Sequence, residues 1–203
     1  MTTRVKCLSV LAVLALLLPV ASYPAGRDGT AAASTQIKLI TPFQNGHLGI
    51  GVAVTQQGNG KCFAASAASP SRPDTWRCSM GNAILDPCLQ NVMGNASILA
   101  CPDTPWSANV VLLTLTSPLP SEPRKIPDRK DTMPWALELA NGQHCTLFTG
   151  ATAPIAGMRI NYGCPGGFVV VGDIDRSSPV WRVFWQGEKS ISLDQTDVAV
   201  AWY

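Results

Sequence analysis

Six cysteines spaced over about a hundred positions constrain this chain more than any other feature: Cys62, Cys78, Cys88 and Cys101 in one block, Cys145 and Cys164 in another. They follow a leader-like N-terminus, and an even number of exported cysteines predicts complete pairing into three disulfides. Cys145 and Cys164 stand at similar points in two strand-like runs, 143–149 and 158–164, which makes them partners. In the first block, 79–86 reads as a short helical turn. That would hold Cys78 and Cys88 ~15 Å apart, beyond the ~7 Å Cα limit of a disulfide. The geometry favours Cys62–Cys78 with Cys88–Cys101; the alternative nests Cys78–Cys88 inside Cys62–Cys101. Each closure contributes ~3 kcal/mol in the chain-entropy account. Zinc is disfavoured, because 15, 9 and 12 residues separate successive cysteines of the block and no C-x2–4-C knuckle occurs.

The leader has the parts of a secretion signal. Arg4 and Lys6 supply a basic start, residues 7–21 are almost wholly apolar, and Val20, Ala21 and Ser22 offer a small-residue cleavage site, giving a signal peptide over 1–22. The apolar run is shorter than the ~20 residues that span a bilayer, and no later run is long enough to do so. Cys7 precedes the run, so it is not a lipoprotein cysteine. The chain carries 15 Lys+Arg and 13 Asp+Glu; without Arg4 and Lys6 the two signs balance at 13 each. No basic stripe remains to displace counterions from phosphate, which argues against nucleic acid and against an anionic lipid surface. Residues 23–36, rich in Ser, Thr, Ala and Gly, read as a flexible tether. About 165 residues follow, enough for one ordinary core.

Those residues read as strands and turns. β-branched or alternating runs occur at 37–41, 48–55, 109–116, 135–140, 168–172, 180–186 and 197–203, separated by Gly-, Asn- and Pro-rich breakers. Asn141-Gly142 is the strongest hairpin signal, with both residues tolerant of the positive φ of a type I′ turn. No stretch keeps helical periodicity for ten residues. Five prolines between 117 and 134 rule out a central strand there. The expected fold is mostly β: a compact, disulfide-stapled fold with little helix, built as a four-cysteine sublobe over 37–116, a Pro-rich connector over 117–134 and a two-cysteine sublobe over 135–203. Packing of the two sublobes is favoured over loose tethering, because the connector is short.

Chemistry is sparse. Only His47 and His144 are available as bases, and no G-x-S-x-G elbow accompanies them. His144 stands beside Cys145 in a strand, so its side chain points to the opposite face; His47 reads as a turn residue. Asp86, before a proline, suits turn capping. Asp173 and Asp175 share a strand face, yet one D-x-D lacks the further oxygen ligands of a calcium site, and a hairpin end is the simpler reading. Of six tryptophans, Trp181 and Trp185 share a face with Val183, and a strand apolar on both faces reads as buried on both sides. Trp76 and Trp106, read as lying in cysteine-rich loops, are the better surface candidates for stacking on a sugar ring.

Arg77-Cys78-x-x-Gly81-Asn82-x-Ile84-x-Asp86-Pro87-Cys88, preceded by Cys62-Phe63, resembles a pattern of uncharacterised secreted bacterial proteins. Asn161-Tyr162-Gly163-Cys164, Gly172-Asp173, Pro179-Val-Trp181 and the Ala201-Trp202-Tyr203 end are similar to theirs as well. Where such proteins carry Trp after the first cysteine, this chain has Phe63. The resemblance implies an exported bacterial protein with paired cysteines and supplies no activity. The resulting expectation is a secreted or cell-envelope-associated protein, a non-enzymatic binding module for an extracellular ligand such as cell-wall glycan. The alternative is a cell-surface hydrolase acting on glycan or peptide. No catalytic, cofactor or metal-binding residue is assigned, and the six cysteines are the assigned structural residues.

Overall fold

Strand parity decides how this chain closes on itself. In the computed structural model, residues 34–121 and 124–203 are described; the expected signal peptide and most of the expected tether lie outside them. Three short strands come first: β1 (Gln36–Lys38), β2 (Phe43–Gln44) and β3 (His47–Leu48). A meander follows, of β4 (Ala53–Ala65), β5 (Thr75–Met80), β6 (Ala83–Gln90), β7 (Ile98–Pro102) and β8 (Asn109–Leu115). Consecutive strands of a meander alternate in direction, so the first and fifth run the same way, and the ring closes by parallel pairing of β4 with β8.

The second ring is built from β9 (Ala136–Leu139), β10 (His144–Leu147), the short β11 (Pro154–Ile155), β12 (Met158–Gly163), β13 (Val169–Asp175), β14 (Arg182–Gln186) and β15 (Asp194–Trp202). Six of these pair in the order β9-β10-β12-β13-β14-β15 and return to β9, antiparallel throughout, as an even number allows. β11 pairs only with β12. β1 adds to β15 in parallel, so a strand read with the first lobe belongs to the second sheet. Among the described residues the only helical turns are two 3₁₀ turns, Arg129–Asp131 and Pro165–Gly167.

The cysteines pair as Cys62–Cys78, Cys88–Cys101 and Cys145–Cys164, each across adjacent strands with Cα atoms 3.8, 4.0 and 4.2 Å apart. Register, not a helix, brings them together. The expected helical turn at 79–86 is a β-hairpin instead, turning at Gly81 (φ 57°) with Cys88 opposite Trp76, while the β4–β5 register places Cys62 directly opposite Cys78. Asp86 lies in this hairpin, and its carboxylate anchors the loop after β4: it accepts from the Ser66 hydroxyl and from the Ala67 and Ala68 N–H groups.

Two further turns differ from the sequence reading. Asn141-Gly142 does join β9 to β10, but only Gly142 has positive φ, and its N–H donates to Leu139 O. The connection is therefore a three-residue loop with glycine at the left-handed position. Asn45-Gly46, between β2 and β3, has both residues at positive φ (50° and 82°), as a type I′ turn requires.

The expected tether is docked at its end. Thr35 is buried, donates its hydroxyl to Val198 O and accepts the Trp181 N–H. Two arginines tie the proline-rich connector down: Arg176 donates to its Lys130 and Thr132 carbonyls, and Arg124 within it donates to Thr75 O and Pro73 O on the first barrel's side. The described residues belong to one compact unit.

Candidate functional site

Alternation along β10 builds a partly exposed aromatic surface. Cys145 is fully buried in the second core, so His144 and Thr146 turn outward, and Phe148 continues the same face just beyond the strand. Phe148 is 42% exposed, and the end of its ring lies close over Gly163 of the neighbouring strand. A Cβ at Gly163 would fall inside the ring's van der Waals envelope, so the Phe148 ring sits where it does because position 163 is glycine. Cys164 and Pro165 close one end of the resulting groove.

The other wall comes from the first barrel. The loop between β7 and β8 turns at Thr104, which accepts the Ser107 N–H, and carries Trp106 outward. The indole lies over His144 with ring centroids 4.7 Å apart and a 35° tilt. Thr104, Trp106, His144, Thr146, Phe148 and Pro165 thus line a groove of about 380 Å³ that carries no acidic or lysine side chain. Two aromatic and two threonine side chains along one uncharged groove suit a flat, uncharged, hydroxylated ligand.

One acid stands behind the groove. His144 lies opposite Glu138 in the β9–β10 register, with Nε2 4.0 Å from a carboxylate oxygen. The other oxygen of Glu138 accepts the Trp202 Nε1–H at 2.8 Å, and the Lys38 ammonium sits 5.1 Å from the centre of the Trp202 ring. Histidine and carboxylate are two parts of a hydrolytic triad. Among the described residues no hydrogen bond joins His144 to either hydroxyl of the groove, Thr104 or Thr146, as the third part would need.

The remaining candidates are structural. His47 is exposed on the β2–β3 hairpin, in line with a turn role. Trp76 is not a surface residue: it lies in β5, is 8% exposed and packs into the first core beneath the Arg124 guanidinium, 4.2 Å from its ring centre. The strand pattern around Arg77-Cys78 turns it inward, where a loop would have left it free. Trp181 and Trp185 pack against the second core as expected, but β14 is buried on one face only, because Arg182 and Phe184 are exposed. Asp173 and Asp175 are exposed at the end of β13, and Asp175 accepts the Ser177 N–H in the turn that follows. No group of three or more metal-ligating side chains occurs among the described residues, and no helix there is long and apolar enough to cross a membrane.

Asp86 is the one buried acid of the first barrel. Burial raises its carboxyl above the ordinary carboxylate range, against the lowering effect of the Ser66, Ala67 and Ala68 hydrogen bonds and of Arg77. With no histidine beside it, it serves as the anchor already described. Sequence reasoning missed Phe148 as a member of the groove and Glu138 as the acid behind His144. The spacing of His144, Thr146 and Phe148 was the available signal for the first, and the hairpin register was the signal for the second.

No family model matches the chain, and neither curated proteins nor solved structures give a significant match.

Proposed function

We propose that this protein is a non-enzymatic extracellular binding module that takes the face of a neutral sugar ring in the groove between Trp106 and Phe148. Three disulfides fit an oxidising, extracytoplasmic setting, in keeping with a secreted or cell-envelope protein. The observation that carries the reading is that Trp106 and Phe148 line, together with Thr104 and Thr146, a groove without acidic or lysine side chains. Rings stack on aromatic faces, and hydroxyls supply the hydrogen bonds that orient a sugar.

A glycan and peptidoglycan panel, read for both retention and cleavage, tests it. Retention without cleavage is expected, and Trp106→Ala or Phe148→Ala weakens it several-fold, since a stacked ring adds only ~0.5–1.5 kcal/mol beyond its area. Full retention by the double variant would sink the groove reading. The His144–Glu138 pair supports a second reading, a hydrolase. Cleavage that is lost in His144→Ala while retention persists would put that reading first.

A further inference from the structure

The first barrel closes without covering all of its longest strand. β4 is 13 residues long, and its two halves use different partners. Lys61–Ala65 pair with β5, whereas Ala53–Gly60 pair in parallel with β8 on one side and have no strand partner on the other among the described residues. In a parallel ladder, alternate residues direct both N–H and C=O away from the neighbour. A row of backbone donors and acceptors is therefore open along this edge, and Ala53 through Gln57 are all exposed. Exposed edges are ordinarily blunted by charge or proline. The open segment, Ala-Val-Thr-Gln-Gln-Gly-Asn-Gly, carries neither.

The geometry points to a second copy of this chain as the occupant, joined by antiparallel β4–β4 pairing about a two-fold axis centred near Gln56. An uncharged edge meets its own copy without repulsion. The Gln56, Gln57 and Asn59 amides are each donor and acceptor, so they are complementary to themselves as a charged side chain is not. The ends match too. Ile50, fully exposed, precedes the open segment; the β5–β6 hairpin, whose Met80 packs on Gly58 and whose Ile84 is 52% exposed, stands at the other end. Antiparallel pairing carries Ile50 of one copy towards the Ile84 hairpin of the other, at both ends of the junction.

The test is light-scattering mass in solution for the wild-type chain, Gln56→Lys, Gln56→Glu, and an equimolar mixture of the two variants, with circular dichroism and disulfide content as folding controls. Twice the chain mass is expected for wild type, one chain mass for each variant alone, and recovery of the doubled mass in the mixture, where Lys faces Glu across the axis. A wild-type chain that stays monomeric, or variants that dimerise unimpaired, would overturn the proposal. A monomeric wild type that protects 54–59 from amide exchange only when an unrelated extended peptide is added would assign the edge to another partner and also overturn self-pairing.

Discussion

The two barrels solve the same packing problem with different fillings. Inside the five-stranded ring, the fully enclosed residues are Cys62, Cys78, Cys88 and Cys101 around Trp76, Leu99 and Leu113. Two cystines thus supply much of a central cluster in which Leu99 and Leu113 are the fully buried aliphatics, with Met80, Leu85, Val111, Leu115 and Leu119 partly buried against it. Inside the six-stranded ring, Leu137, Leu139, Val170, Val183 and Val198 pack around Tyr162 and Tyr203, with one disulfide at the side. The Tyr162 hydroxyl is satisfied by Pro134 O. A small ring with few aliphatics leans on covalent closure, because an interior of that size buries too little apolar surface on its own. The larger ring has enough of both size classes to pack without it.

The comparison is tested hardest by removing both bridges of the first barrel, as Cys62→Ser/Cys78→Ser/Cys88→Ser/Cys101→Ser. The loss of ~3 kcal/mol per closure approaches a total domain stability of ~5–15 kcal/mol. Amide protection is expected to vanish over 53–115 while persisting over 136–202. Simultaneous loss in both stretches would show that the barrels fold as one cooperative unit and that the contrast in their cores has no energetic meaning.

Removing the bridge of the second barrel should cost less. Cys145→Ser with Cys164→Ser is expected to destabilise by ~2–5 kcal/mol while the barrel still folds, as measured by denaturant melts. Native-state reduction sharpens the contrast. Cys164 is only partly buried, whereas all four cysteines of the first barrel are buried, so the Cys145–Cys164 bond is expected to open first. Mass mapping of alkylated cysteines over time reads that order, and earlier labelling of Cys62 or Cys101 would reverse it.

A polar group makes the next distinction. Tyr162→Phe removes the hydroxyl that satisfies the buried Pro134 carbonyl, at an expected cost of ~1–3 kcal/mol. Asp86→Asn probes the first barrel at matched volume, and here pH gives the sign. A carboxyl whose folded pKa is raised contributes stability that is fully present below its unfolded value of about 3.9 and is lost as pH rises through the folded value. The wild type should therefore gain on Asp86→Asn between neutral pH and pH 3. A gap that moves the other way would mean that the Ser66, Ala67 and Ala68 hydrogen bonds outweigh burial. Smallest of all, Trp106→Ala and His144→Ala should change the unfolding free energy by no more than ~0.5 kcal/mol, since both sit at the surface where the barrels meet. A larger loss would make their stacking a structural clamp and weaken its role as a ligand shelf.

Much of the strand content was readable from local pattern. Periodicity placed β8, β9, β14 and β15 close to their positions, because alternation and β-branching act over a few residues. The same locality explains two errors. A glycine turn between Met80 and Ala83 passed for helix, since so short a window of mixed residues carries no period. Trp76 passed for a loop residue, since its inward direction depends on the pairing of β5 with both β4 and β6. His144 was legible as outward-facing from its neighbour Cys145, but Trp106 lies 38 positions away and meets it only because two separate barrels pack together.

By itself, the sequence determined that this chain is β-rich, stapled by three cysteine pairs and free of any strong charge field, for these follow from composition and local periodicity. Only the tertiary structure decided that the strands close into two rings, that one closes in parallel and the other antiparallel, and that an aromatic groove lies between them. The physical reason is range. Turn and strand preferences are set within a few residues, whereas closure, register across distant strands and the stacking of Trp106 on His144 are contacts between segments that no local pattern relates.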